Sequence, residues 1–180
     1  MNNTKLFFMI IAMTLFSFSV LHSINAFAIQ PYLHLDDNII NVRKMSETEL
    51  KDSLDCLATN IYHEAGNQSF DGKVAIAQVT LNRANSGKFP KNICKVVKQK
   101  TIRNDKTVCQ FSWYCVSRLR NKTKNKTVYE ESYEVAKKVL LENYKLDVLE
   151  EALYYHADYV NPRWRLTKII KIGDHIFYKG

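Results

Sequence analysis

Glu64 sits where an ordinary surface carboxylate is least expected. Apolar residues recur at helical spacing through Leu50, Leu54, Leu57, Ala58, Ile61 and Ala65. Glu64 follows Ile61 by three residues and Leu57 by seven, so it shares their stripe. It also falls in the last turn of the predicted helix, where the helix dipole is negative. Burial and dipole both disfavour the ionised form and push the carboxyl pKa up. A carboxyl that keeps its proton near neutrality is what a general acid requires. The alternative is a frayed helix end, with Glu64 open to water or paired with Arg83 or a lysine.

Neutral hydrogen-bonding residues gather in contexts that read as buried: Tyr62, Gln78, Asn82, Gln110 and Ser112. Gln78 and Asn82 are four apart and share one helical face. Amides and aromatics of this kind line sugar-binding clefts, and the competing reading is capping or internal satisfaction. Nothing in the pattern asks for a metal or a cofactor, since the four cysteines form no CxxC pair and no HxxxH accompanies them. Cys56 and His63 lie nearly two helical turns apart, too far for a direct Cys/His catalytic pair.

The elements that must hold these residues are mostly helical. Ser46 with Glu49 reads as a capping box, with Met45 stapled onto Leu50, and this first helix should stop near Gly66-Asn67. Asp71 is the expected cap of a second helix over 72–84. Its apolar centre, Val74-Ala75-Ile76-Ala77, predicts burial on all sides. A short helical piece over 91–98 follows Pro90. Residues 99–127 show little periodicity and include a basic stretch, 118–126, read first as a solvated loop and second as a polymer-binding patch. Thr127 with Glu130 reads as the next capping box, followed by Val128, Val135, Ala136, Val139, Leu140 and Tyr144 at helical spacing. The tail is rich in β-branched and aromatic residues and reads as strand or loop, with a turn at Gly173-Asp174. The expected class is therefore mainly α (α+β), with a small β portion near the C-terminus.

Composition sets the compartment. The 180 residues carry 26 Lys+Arg against 18 Asp+Glu, a net charge of +8 that suits a polyanionic partner. With 46% hydrophobic and 24% charged residues, a disordered chain is excluded. Residues 1–28 hold one Lys, an apolar run from Leu6 to Val20 and a small-x-small site at Ala26-Phe27-Ala28. This is a secretory signal peptide pattern, with an uncleaved anchor as the alternative and the sole expected contact with a membrane. Residues 29–45 read as an irregular lead-in to a domain over 46–180. Four cysteines in an exported chain suggest disulfides, and three pairings are possible.

The stretches 58–83 (ATNIYHEAGNQSFDGKVAIAQVTLNR), 89–97 (FPKNICKVV), 109–115 (CQFSWYC), 152–164 (ALYYHADYVNPRW) and 171–178 (KIGDHIFY) give the sequence a family likeness. It resembles the SleB-like cell wall hydrolases, which include the spore-cortex-lytic enzymes and relatives from bacteria and bacteriophages. The resemblance runs from about Leu54 to Tyr178. It implies a lysozyme-like single domain acting on peptidoglycan, with the Glu of a Y-x-E-A motif as the single catalytic acid. That motif is Tyr62-His63-Glu64-Ala65 here. Where members commonly continue E-A-R-G-E, this chain has Gly66 and Gln68 in place of the Arg and the second Glu.

One carboxyl suffices for a lytic transglycosylase, whereas hydrolytic glycosidases generally use two. On this reading Gln110, Ser112 and Tyr155 position substrate, and Phe111, Trp113 or Trp164 offer sugar-stacking platforms. His156 either polarises Glu64, binds an acetamido group or is satisfied by a backbone carbonyl. The expected partner is the peptidoglycan glycan strand, met by a monomer in the periplasm or cell wall, including a host periplasm if the chain is phage-encoded. A muramidase with a second acid (Asp71 or Asp158) and a non-catalytic wall-binding module are the rival functions. No motif supports nucleic-acid binding.

Overall fold

A computed structural model describes residues 42–122 and 124–180. The expected leader and most of the lead-in lie outside the described residues, and Val42–Lys44 forms a single 3-10 turn. Helix α1 (Glu47–Ala65) starts at Ser46, whose Oγ accepts the Glu49 N–H at 3.2 Å, and ends at Gly66, as expected. Helix α2 spans Phe70–Asn85, and its cap is Ser69 rather than Asp71. The helix begins two residues earlier than the sequence suggested, so Asp71 falls in its first turn, where a carboxylate suits the positive end of the dipole. The N-terminal helices are followed by short α3 (Ile93–Val97), capped by Asn92.

Residues 99–127 hold more structure than their pattern predicts. Strands β1 (Lys100–Arg103) and β2 (Lys106–Cys109) form an antiparallel hairpin. Its two-residue turn, Asn104-Asp105, has φ of 50° and 58°, the left-handed pair that matches strand twist in tight hairpins. Both strands are almost wholly exposed, so they lack the apolar alternation by which a strand is usually detected. Short helices α4 (Ser112–Cys115) and α5 (Ser117–Arg120) follow. Helix α6 (Lys126–Leu141) is capped by Asn125, not Thr127: Asn125 Oδ1 accepts the Val128 N–H at 3.1 Å.

Helix α2 divides the interior in two. On one side, Leu57, Ala58 and Ile61 of α1 pack with Val74 and Ala77, with Val96 and Val97 of α3, and with Val135, Ala136 and Val139 of α6. On the other, Ala75, Ile76 and Val79 meet Ala65, Leu149, Ala152 and Phe177. This two-sided burial is why the centre of α2 has no polar face. The second core is roofed by a three-stranded antiparallel sheet in the order β3 (Ala152–Ala157), β5 (His175–Lys179), β4 (Lys168–Ile172). The hairpin between β4 and β5 turns at Gly173, φ +55°, as the sequence predicts.

Of the three possible cysteine pairings the chain forms Cys56–Cys94 and Cys109–Cys115. The first ties α1 to α3, and the second closes the loop that carries Gln110 and Ser112. Among the described residues no helix is long and apolar enough to cross a membrane.

Candidate active site

Glu64 projects from the last turn of α1 towards β3. The Tyr155 hydroxyl donates to Glu64 Oε2 at 2.9 Å, joining residues from the two ends of the domain. Burial pushes the Glu64 carboxyl above its ordinary range, while the Tyr155 hydrogen bond and the positive charge of Arg83 pull it back part of the way. The rise was legible in the sequence, but Tyr155 as the immediate partner was not. Burial also drives the Tyr155 phenol well above its usual range, so it remains a donor.

Arg83 stands behind this pair. It is 3% exposed, and its Nε donates to the Leu153 carbonyl of β3 at 2.7 Å. Its guanidinium lies over the rings of Phe111, Phe89 and Tyr155, at 5.1, 5.2 and 5.8 Å. From the other side His175, 8% exposed, sets its ring edge-on to Tyr155 at 5.2 Å. Sequence reasoning named Arg83 only as an alternative ion-pair partner and missed His175. No direct ion pair joins Arg83 to Glu64 among the described residues, because the phenol takes the contact.

Several expected substrate-binding residues hold the protein instead. Gln78 Nε2 donates to the Leu146 carbonyl at 3.0 Å, and its Oε1 accepts the Leu146 N–H at 2.8 Å. Asn82 Nδ2 donates to the carbonyls of Leu149 and Ala152 at 2.8 and 2.9 Å. Both amides satisfy the irregular segment entering β3, because a buried main chain outside regular structure needs side-chain partners. Tyr62 Oη accepts the Asn125 N–H at the start of α6. Phe111, 2% exposed, and Trp113, 6% exposed, belong to the first core and offer no open sugar platform. Trp113 donates to Asn60 Oδ1 at 3.0 Å and stacks on His63 with centroids 4.3 Å apart.

His156 does not polarise Glu64. Successive strand residues face opposite sides, and His156 shares its side of the sheet with Tyr178 and Trp164. Its Nδ1 donates to the Ala157 carbonyl, and in the neutral ring Nε2 then accepts from Tyr178 Oη, both at 2.8 Å. This is the backbone-satisfied reading. Trp164 is 42% exposed and stands edge-on to Tyr154, His156 and Tyr178. Ser112 is exposed and Gln110 half-buried, on either side of the Phe111 ring that packs against Arg83.

The two departures from the family motif have local causes. A Cβ on Gly66 would stand 2.5 Å from the Tyr62 carbonyl oxygen and 3.1 Å from Val128, so α6 packs where a side chain would be. Gln68 Nε2 donates to Asp174 Oδ2 at 2.8 Å, and its Oε1 accepts the Asp174 N–H at 3.1 Å. A glutamate could accept that N–H but would set a second negative charge against Asp174. The amide thus bolts the end of α1 to the β4–β5 turn.

Neither candidate second acid is among the groups that perturb Glu64. Asp158 pairs with Lys171 at 2.6 Å, and Asp71 is exposed in the first turn of α2. A family model described as Cell Wall Hydrolase matches residues 67–178, the span that carries Arg83, Tyr155 and His175. The chain belongs to that family. The matched span begins just past Glu64.

Among curated proteins the chain is similar to the spore cortex-lytic enzyme of Bacillus subtilis (strain 168), at 31% identity over 129 residues. That alignment covers 67% of this chain and 35% of the relative. The spore cortex-lytic enzyme of Bacillus cereus is 29% identical over 133 residues, covering 72% of this chain and 45% of the relative. The chain thus spans less than half the length of either. Its fold is that of two solved structures, each 24% identical in sequence. The catalytic domain of the Bacillus cereus SleB protein matches with a TM-score of 0.52 over 72% of this chain and 91% of that one. The catalytic domain of the germination-specific lytic transglycosylase SleB from Bacillus anthracis matches at 0.54 over 76% and 98%. The expected lysozyme-like, mainly helical class stands.

Proposed function

We propose that the chain cleaves the glycan strands of peptidoglycan as a lytic transglycosylase, with residues 46–180 as its catalytic domain and Glu64 as both acid and base. The observation that carries this reading is a lone half-buried carboxyl, held by a phenol and shifted upward, with no neighbouring carboxylate among the groups that perturb it. Protonated Glu64 gives its proton to the glycosidic oxygen between N-acetylmuramic acid and N-acetylglucosamine, and the C1–O bond breaks. The resulting carboxylate takes the proton from the muramyl 6-hydroxyl, whose oxygen bonds to C1. The products are a 1,6-anhydromuramyl end and a free 4-hydroxyl, with Glu64 reprotonated and no water consumed. Trp164 supplies an exposed ring for a sugar face, and Gln110 and Ser112, on either side of Phe111 in the chain, supply hydrogen bonds.

The two disulfides and the leader-like residues 1–28 support export before folding. The test is product analysis. The chain, produced in an oxidising compartment, is incubated with purified peptidoglycan, and soluble products are weighed by mass spectrometry. Anhydromuramyl products, absent with Glu64→Gln, are expected. Reducing muramyl ends would replace this mechanism with hydrolysis, and a folded protein that sediments with the wall but releases nothing would replace it with a binding role.

A further inference from the structure

Arg83 is a buried charge with an unused donor. It is buried, its Nε is used on the Leu153 carbonyl, and its Nη1 has no hydrogen-bond partner among the described residues. None of the described ion pairs includes it. A buried guanidinium without a carboxylate at hydrogen-bond distance is costly, and three aromatic faces offset only part of that cost. What remains is an uncancelled positive field inside the site. The groups that share it are Glu64 from α1, Tyr155 and Tyr154 from β3, and, edge-on to Tyr155, His175 from β5.

We infer that Arg83 is a positioning residue for Glu64: it cages the aromatic wall behind Tyr155 and holds a fixed positive charge one contact away from the carboxyl. The inference rests on Glu64 acting as acid and base. The separation is the point. A direct Arg–Glu ion pair would lock Glu64 as a carboxylate and abolish the acid. With the phenol between them, burial still holds the carboxyl pKa above its ordinary range. The charge then stabilises the carboxylate that appears as the proton leaves for the glycosidic oxygen. The oxygens of Glu64 also stay free of the guanidinium fork, leaving Oε1 for substrate.

The test uses Arg83→Met, which removes the charge at similar length, and Arg83→Lys, which keeps it without the planar face. The Glu64 carboxyl is followed by carbon NMR in glutamate-labelled protein, its signal assigned by its loss in Glu64→Gln, alongside kcat and KM against pH. Arg83→Met is expected to raise the Glu64 midpoint by about one pH unit, the size set by one opposite charge nearby. It should lower kcat about tenfold or more, with KM within about twofold. Arg83→Lys should hold the midpoint near wild type and recover part of kcat. A folded Arg83→Met protein with an unchanged Glu64 midpoint would overturn the inference and leave Arg83 as packing alone. Should that variant not fold, wild type decides: the Arg83 N–H signals must shift with the same midpoint as the Glu64 carboxyl, and their failure to do so also overturns it. Activity in Glu64→Gln would instead remove the reading on which the inference rests, and the NMR coupling would be judged separately.

Discussion

The two faces of strand β3 are built from similar residues and do different work. Inward, Tyr155 meets Glu64, Arg83, His175 and Phe177, where water is scarce and each polar atom alters the charge of its neighbour. Outward, His156 meets Tyr178 and Trp164 in a half-exposed cluster, its ring nitrogens taken by the Ala157 carbonyl and the Tyr178 hydroxyl. Aromatic content therefore does not distinguish chemistry from binding. The distinction lies in which face carries an unbalanced charge. On the proposed mechanism the inner face tunes a proton and the outer face presents a surface.

The comparison breaks most sharply at Tyr155. Tyr155→Phe removes the hydrogen bond to the Glu64 carboxyl and its downward pull on that pKa. We expect kcat on peptidoglycan to fall about ten- to a hundredfold, with the alkaline limb of the pH–rate profile moved up. An unchanged profile would mean that the phenol does not tune the acid. On the outer face, Trp164→Ala should raise KM about three- to tenfold, the worth of one stacked ring, with kcat nearly constant. A collapse of kcat there would erase the division between the faces.

The smallest effect is on stability. The folded Glu64 pKa lies above its unfolded value, so the fold favours the protonated form. Its stabilising contribution is present below the ordinary glutamate pKa and is lost as pH rises through the folded value. Glu64→Gln, which cannot ionise, should therefore gain in Tm over wild type at alkaline pH and little at acidic pH. Thermal melts across pH check the sign, and a constant difference would argue that Glu64 is not held in its neutral form.

What the sequence disclosed follows the same physics. A charge on an apolar stripe is visible in one dimension because helical periodicity is local, so Glu64 and the all-round burial of α2 were both legible. The partners were not, because they come from a strand about ninety residues further on, and no local rule says which strand residue will face the helix end. Gln78 and Asn82 were read as ligand contacts because a buried amide looks the same whether it binds a sugar or a backbone carbonyl. The hairpin over 100–109 left only the Asn104-Asp105 turn as its signal, since its strands bury almost nothing. The caps at Ser69 and Asn125 were displaced by only two residues, because each helix start offers several competing oxygens.

The bolt between Gln68 and Asp174 spans 106 positions, and the contact between Glu64 and Tyr155 spans 91. A chain made from its N-terminus therefore presents Glu64 early and the residues that surround it last. On the proposed mechanism, a copy that ends before β3 holds Glu64 without the Tyr155 hydroxyl, so the acid lacks its partner until the last strands are in place.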